Sequence, residues 1–174
     1  MVIRRIRQDE GPPLRAFRLR ALADAPDAFG TTLAEAGQRP LADWDDRARR
    51  DAVSETSTIL LAVEGDCWCG MVGAVVVPAS PDTAELISMW VDPAYRRRGT
   101  ALAMIDAVVH WARAGGFAHV RLSVTETNVP ARSLYVRAGF AATGHTEQHP
   151  SNPALREEAM VRDLRTDAPP ANSN

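Results

Sequence analysis

The chain has 174 residues, 45% of them hydrophobic and 24% charged, and a formal net charge of −2. At roughly 100 to 200 residues per domain this is one compact domain, and the proportions exclude collagen-like, disulfide-rich and wholly disordered chains. All 20 cationic residues are arginine, yet the slight negative balance argues against a nucleic-acid partner, and no apolar run reaches the ~18 residues of a membrane span.

In chain order, Val2 to Arg7 suits a first strand. No apolar stretch follows the charged Met1 to Arg7 segment, so no secretory leader is expected and a cytoplasmic location follows. Gly11-Pro12-Pro13 punctuates the chain before a helix from Leu14 to Ala23, where Leu14, Phe17, Arg18, Ala21 and Leu22 fall at helical spacing. Phe29 to Gly37 reads as loop with a short helical turn, and Pro40 to Val53 as a second helix. Thr58 to Glu64 and Cys69 to Val77 are β-branched and apolar, joined by the hairpin signal Gly65-Asp66. Pro78 to Asp82 reads as loop and Ala84 to Val91 as the next strand, stopped at Asp92-Pro93. Thr100 to Ala114 has helical apolar spacing, Arg113 in its last turn and Gly115-Gly116 as its stop. His119 to Thr125 alternates as a strand, and Pro130 to Ala138 is a short helix closed by Gly139. Phe140 to Thr146 and Glu158 to Leu164 complete the strands, separated by a long loop from His145 to Leu155. Residues 1–165 then form the domain and 166–174 a disordered tail.

The stretch from Val91 to Ala101 carries the clearest chemistry: a strand breaks at proline, passes through Arg96, Arg97, Arg98 and Gly99, and enters a helix at Thr100. The first amides of a helix lack internal partners, its dipole is positive there, and arginines offer forked donors to phosphate oxygens. The lysine and spacing of a P-loop are absent, as is a dinucleotide glycine fingerprint. Cys67 and Cys69 are too few for a disulfide framework or a zinc site and read as reduced strand residues. His145 and His149 flank Glu147 in the long loop, where solvent-facing side chains are expected rather than a metal site. The four tryptophans read as core or pocket walls.

Arg96, Gly99 and Ala101 resemble the R/Q-x-x-G-x-G/A motif of the GCN5-related N-acetyltransferase (GNAT) family. Downstream, Asn128-x-x-Ala131-x-x-Leu134-Tyr135-x-x-x-Gly139-Phe140 resembles its second signature. The resemblance covers about Thr58 to Leu164. It implies an α/β (α+β) fold with a mixed, mostly antiparallel sheet of six to seven strands, splayed at strands 4 and 5 and flanked by about four helices. It also implies direct transfer of an acetyl group from acetyl-CoA to a primary amine, without metal. Met89, Trp90 and Val91 would hold the pantetheine arm, and Arg96, Arg97, Arg98, Gly99, Thr100, Ala101 and Leu102 would hold the pyrophosphate, with Asn128 on the far side and the amide near Trp90 facing the oxyanion. Tyr135 would be the general acid. Glu85, eleven residues before Arg96 and placed by strict alternation on the face of Met89 and Val91, would be the base. The family's alternative position, five residues before the asparagine, is Ser123, which cannot serve, and Glu126 is a weaker substitute. Phe29, Thr31 and Glu35 are candidate acceptor contacts. A small metabolite or amine antibiotic is the expected acceptor, with a protein amine or a non-catalytic acyl-CoA sensor as alternatives, and a homodimer is the expected assembly.

Overall fold

A computed structural model describes residues 1–165, and the tail expected to be disordered, 166–174, lies outside them. In chain order the elements are β1 (Val2–Arg5), α1 (Gly11–Asp24), α2 (Leu33–Gln38), α3 (Leu41–Val53), β2 (Ser57–Glu64), β3 (Cys67–Val77) and β4 (Ser80–Val91). There follow α4 (Thr100–Ala114), β5 (His119–Thr125), α5 (Val129–Arg137), β6 (Ala141–Gln148) and β7 (Arg156–Asp163). Short 3₁₀ turns occupy Pro26–Ala28 and Pro93–Tyr95. Among the described residues no helix is long and apolar enough to cross a membrane.

The seven strands form one mixed sheet in the order β1-β2-β3-β4-β5-β7-β6. Every pairing is antiparallel except β4 with β5. β2 and β3 are nearly continuous apolar runs because both their faces are covered. One face buries Leu60, Val72, Leu86, Leu122 and Met160 against Met104, Ile105 and Val108 of α4. The other buries Ile59, Leu61, Met71 and Trp90 against Leu14, Phe17 and Leu22 of α1 and Trp44 of α3.

The boundaries differ from expectation where local chemistry outweighs punctuation. α1 begins at Gly11 rather than Leu14, because prolines fit a helix's first turn, where the N–H they lack has no partner. The Phe29 to Gly37 stretch contains a true helix, α2, fixed by a capping box: Thr32 Oγ1 accepts from the Glu35 N–H, and Glu35 accepts from the Thr32 N–H. β4 starts at Ser80 inside the expected loop, and β6 runs on to Gln148, so the last loop is 149–155 rather than His145 to Leu155. Cys67 is exposed, Cys69 is buried, and both are free thiols.

Candidate functional site

The centre of the sheet is interrupted. β4 and β5 pair only through Thr83–Glu85 against His119–Arg121. Beyond that the strands part, and the edge of β4 from Leu86 to Val91 faces a cavity of about 690 Å³. Within the same stretch β4 carries a bulge: Ile87 faces Gly73 and Trp90 faces Met71, so β4 spends one more residue than β3 there, and Ser88 adopts φ 57. The extra residue reverses the alternation. Glu85, Ile87 and Trp90 share one face, whereas Leu86 and Val91 lie on the other, so the expectation that Glu85 shares a face with Val91 is corrected. Met89 packs with Leu86 and Val91, against the α4 core.

Past Val91 the chain makes the loop that delivers α4. Asp92 accepts from the Ala94 N–H and stabilises the 3₁₀ turn. Arg97 adopts φ 64 and Gly99 φ 80, a left-handed conformation at the helix start that suits glycine. The first i→i−4 bond runs from the Ala103 N–H to the Gly99 carbonyl, which leaves the preceding amides of the turn directed outward. Thr100 is buried and donates through Oγ1 to the Tyr95 carbonyl, anchoring the helix start. Arg96, Arg97, Gly99, Thr100, Ala101 and Leu102 line the cavity; Arg98 lies outside that lining, with its guanidinium over the Tyr95 ring at 5.3 Å. Arg97 and Arg98 are exposed and have no acidic partner among the described residues.

Arg96 is exposed at the cavity and bonds back to the protein. Its Nε donates to the Val91 carbonyl at 3.0 Å and its Nη2 to Asp24. Asp24 also accepts the indole N–H of Trp90 at 2.9 Å, and these bonds, Trp90 first and Arg96 next, hold its carboxyl below the usual carboxylate range. Arg20 pairs with Asp92 one turn earlier in α1. The end of α1 is thereby fastened to both β4 and the loop. Asp24 was not among the sequence candidates; the signal for it was Trp90, a largely buried indole whose N–H needs an acceptor.

The opposite wall comes from β5 and α5. Val124, Thr125, Asn128, Ala131, Leu134 and Tyr135 line it. Asn128 caps α5, its Oδ1 accepting from the Ala131 N–H at 3.2 Å, so that its amide nitrogen is the group left for a ligand. Tyr135 is buried against Phe140, and burial alone pushes its hydroxyl pKa up to about 12. It remains a neutral donor at any physiological pH.

One mouth of the cavity is bordered by Asp24, Ala25 and Ala28 beside Thr125. Thr125 donates to the Asp27 carbonyl at 2.7 Å, Asn152 Nδ2 to the Asp27 carboxylate at 3.0 Å, and Ser151 Oγ to the Phe29 carbonyl at 2.8 Å. The loop after α1 and the loop after β6 are thus tied together over the sheet. Phe29 is core, 4% exposed beneath the Arg18 guanidinium at 4.1 Å; Glu35 is occupied in the capping box, and Thr31 is half-buried beyond the cavity lining. Glu85 also stands outside the cavity wall, bound to Arg121 Nη2 at 3.0 Å. His145 is exposed on Glu147, but His149, expected to face solvent, is fully buried under the 149–155 loop. Its burial depends on contacts with residues about 120 positions earlier, which local pattern does not reveal. Among the described residues no group of three or more His, Cys, Asp or Glu is arranged to hold a metal ion.

Residues 19–140 match the family model described as the acetyltransferase (GNAT) family. N-acetyltransferase 8 of Homo sapiens is 29% identical over 122 residues, covering 63% of this chain and 53% of that protein. The ribosomal protein bS18-alanine N-acetyltransferase of Haemophilus ducreyi is 31% identical over 84 residues, covering 48% of this chain and 58% of that protein. The chain spans little more than half the length of these curated relatives. The crystal structure of a GNAT-family acetyltransferase from Streptococcus pneumoniae shares the fold, with a TM-score of 0.79 at 19% identity over 93% of this chain and 98% of that one.

Proposed function

The chain belongs to the GNAT family of acetyltransferases, and from that premise we propose that it moves an acetyl group directly from acetyl-CoA to a primary amine of a small molecule. The observation that carries this is the continuity of one cavity, from the parted strands β4 and β5 to the N-terminal turn of α4. A long, thin ligand with phosphates at one end and an extended arm at the other fits that shape. The unpaired amides of Gly99 to Leu102 and the side chain of Arg97 suit linked phosphates. The free edge of β4 at Met89 to Val91 suits the amide-containing arm, as a strand accepts an added strand. The bound thioester supplies an acyl carbon already activated for attack by nitrogen.

Within that frame Arg96 lines the cavity and also sets the loop, through the Val91 carbonyl and Asp24. Tyr135, kept neutral by burial on the α5 wall, donates its hydroxyl proton to the departing thiolate, whose conjugate acid titrates near 8.5. A backbone N–H of β4 near Trp90 faces the developing oxyanion. The hydrogen bonds of Thr125, Ser151 and Asn152 that tie the two loops beside the opposite mouth support a small acceptor over a protein segment.

Isothermal titration with acetyl-CoA, followed by a free-thiol assay with amines of several sizes, tests this reading. Micromolar uptake and thiol release with small amines are expected. Absence of uptake at millimolar acetyl-CoA removes the assignment, and turnover confined to peptide N-termini moves the acceptor to the protein class, the activity printed in the name of the Haemophilus relative.

A further inference from the structure

The sheet face that bears Trp90 continues across β5 and β7, where Arg121 and Ser123 are exposed. Glu157 lies directly across the β5–β7 ladder from Thr125, the cavity-lining residue that also ties down Asp27. Facing side chains on neighbouring strands have Cβ atoms about 5 Å apart, so Glu157, itself outside the cavity lining, is the immediate neighbour of a residue at the mouth by which an amine reaches the gap between β4 and β5.

Behind it is His149, whose side chain is 0% exposed. Its Nδ1 accepts from the N–H of Ser151 at 3.3 Å and of Asn152 at 3.2 Å, with the Ser151 hydroxyl also at 3.3 Å. With Nδ1 held as an acceptor, the ring proton belongs on Nε2. That nitrogen has no hydrogen-bond partner and points at Glu157 Oε1, 3.5 Å away. Two further carboxylates approach the same place, Glu147 from β6 and Glu85 from β4, but each has a partner of its own, His145 and Arg121 respectively. Glu157 has no arginine partner among the described residues. Burial raises its carboxyl above the ordinary range; the facing His149 works against this, and Glu147 and Glu85 add to it.

We propose that Glu157 is the proton acceptor for the incoming amine and that His149 is the residue that positions it. The role rests on the acetyl-transfer reading above and takes the place foreseen for Glu85. Glu157 removes one proton from the acceptor ammonium, directly or through one water. The freed lone pair forms the C–N bond to the acetyl carbon, and the C–S bond breaks with its electron pair passing to sulfur. Tyr135 protonates that sulfur and is restored by the second nitrogen proton, while Glu157 returns its own proton to solvent.

The test compares Glu157→Gln, Glu85→Gln and His149→Asn with the wild type. Transfer from acetyl-CoA to spermidine, to phenethylamine and to an alanyl peptide is followed as free thiol from about pH 6 to about pH 10. In E157Q the rate near neutrality falls ~10²-fold or more. The deficit narrows as pH approaches the acceptor's own pKa, about 10.4 for an alkylamine and about 8 for the peptide's α-amine, where free base is available without help. E85Q keeps the wild-type profile. H149N retains an oxygen to accept from the Ser151 and Asn152 amides but has no Nε2–H, so its rate–pH curve shifts, whereas loss of a merely structural histidine would leave the curve in place. Calorimetric affinity for acetyl-CoA is unchanged in all three. A profile altered by E85Q and untouched by E157Q overturns the proposal while the transfer reading stands. A wild type that binds no acetyl-CoA, or transfers to none of the amines, removes both.

Discussion

Tyr135 and Phe29 show how burial assigns aromatic residues to opposite tasks. Tyr135 is buried yet lines the cavity, so its hydroxyl is both desolvated and addressed to a ligand. Tyr135→Phe should lower kcat by about 10²-fold with acetyl-CoA affinity intact, as measured by thiol release and calorimetry. Its raised pKa has a second consequence. The unfolded phenol ionises at about 10 and the folded one at about 12, so the stability held below pH 10 is lost as pH rises between these values. Alkaline denaturation of the wild type should therefore exceed that of Tyr135→Phe by up to about 2–3 kcal/mol across this window. Phe29 is enclosed by the α1–α3 core and covered by Arg18. Phe29→Ala should cost ~3–5 kcal/mol in chemical denaturation, an effect on folding rather than a selective rise in acceptor KM.

Among the elements, α4 and its leading turn carry the most function per residue. Gly99 holds φ 80 where an added Cβ would meet nothing within 4 Å, so Gly99→Ala tests backbone strain alone. An L side chain in this region costs about 1–2 kcal/mol, which should appear as a lower melting temperature together with weaker acetyl-CoA binding as the turn's amides shift. The limits of α4 and β5 are legible in the sequence because helical spacing, the Gly115-Gly116 stop and strict alternation agree with one another there. The bulge in β4 is not. Nothing in Glu85-Leu86-Ile87-Ser88-Met89-Trp90 breaks the alternation; what breaks it is the register with β3, a long-range property. Most of the residues expected from the motif to hold the cofactor line one cavity, Arg98 excepted, while the face carrying Glu85 was not readable from alternation. His149 stayed hidden for a related reason, since the 149–155 loop that covers it is held by bonds to the loop after α1.

For the molecule as a whole, Asp24 joins stretches far apart in sequence, bonding Trp90 of β4 and Arg96 of the α4 loop from the end of α1. Its depressed carboxyl pKa contributes stability above the ordinary aspartate range of about 3.8, and that contribution is lost as pH falls through the lower folded value. Asp24→Asn should show a smaller loss of stability than the wild type as pH falls below about 4, and weaker acetyl-CoA binding at neutral pH. At the outer rim, β6 ends the sheet with one row of backbone donors and acceptors unclaimed by any strand among the described residues. Its residues are small or polar, and its register with β7 breaks between Ala142 and Thr146, where Gly144 turns to φ 77. A neighbouring copy would find there a crooked, hydrophilic hem, a poor template for edge-to-edge strand pairing.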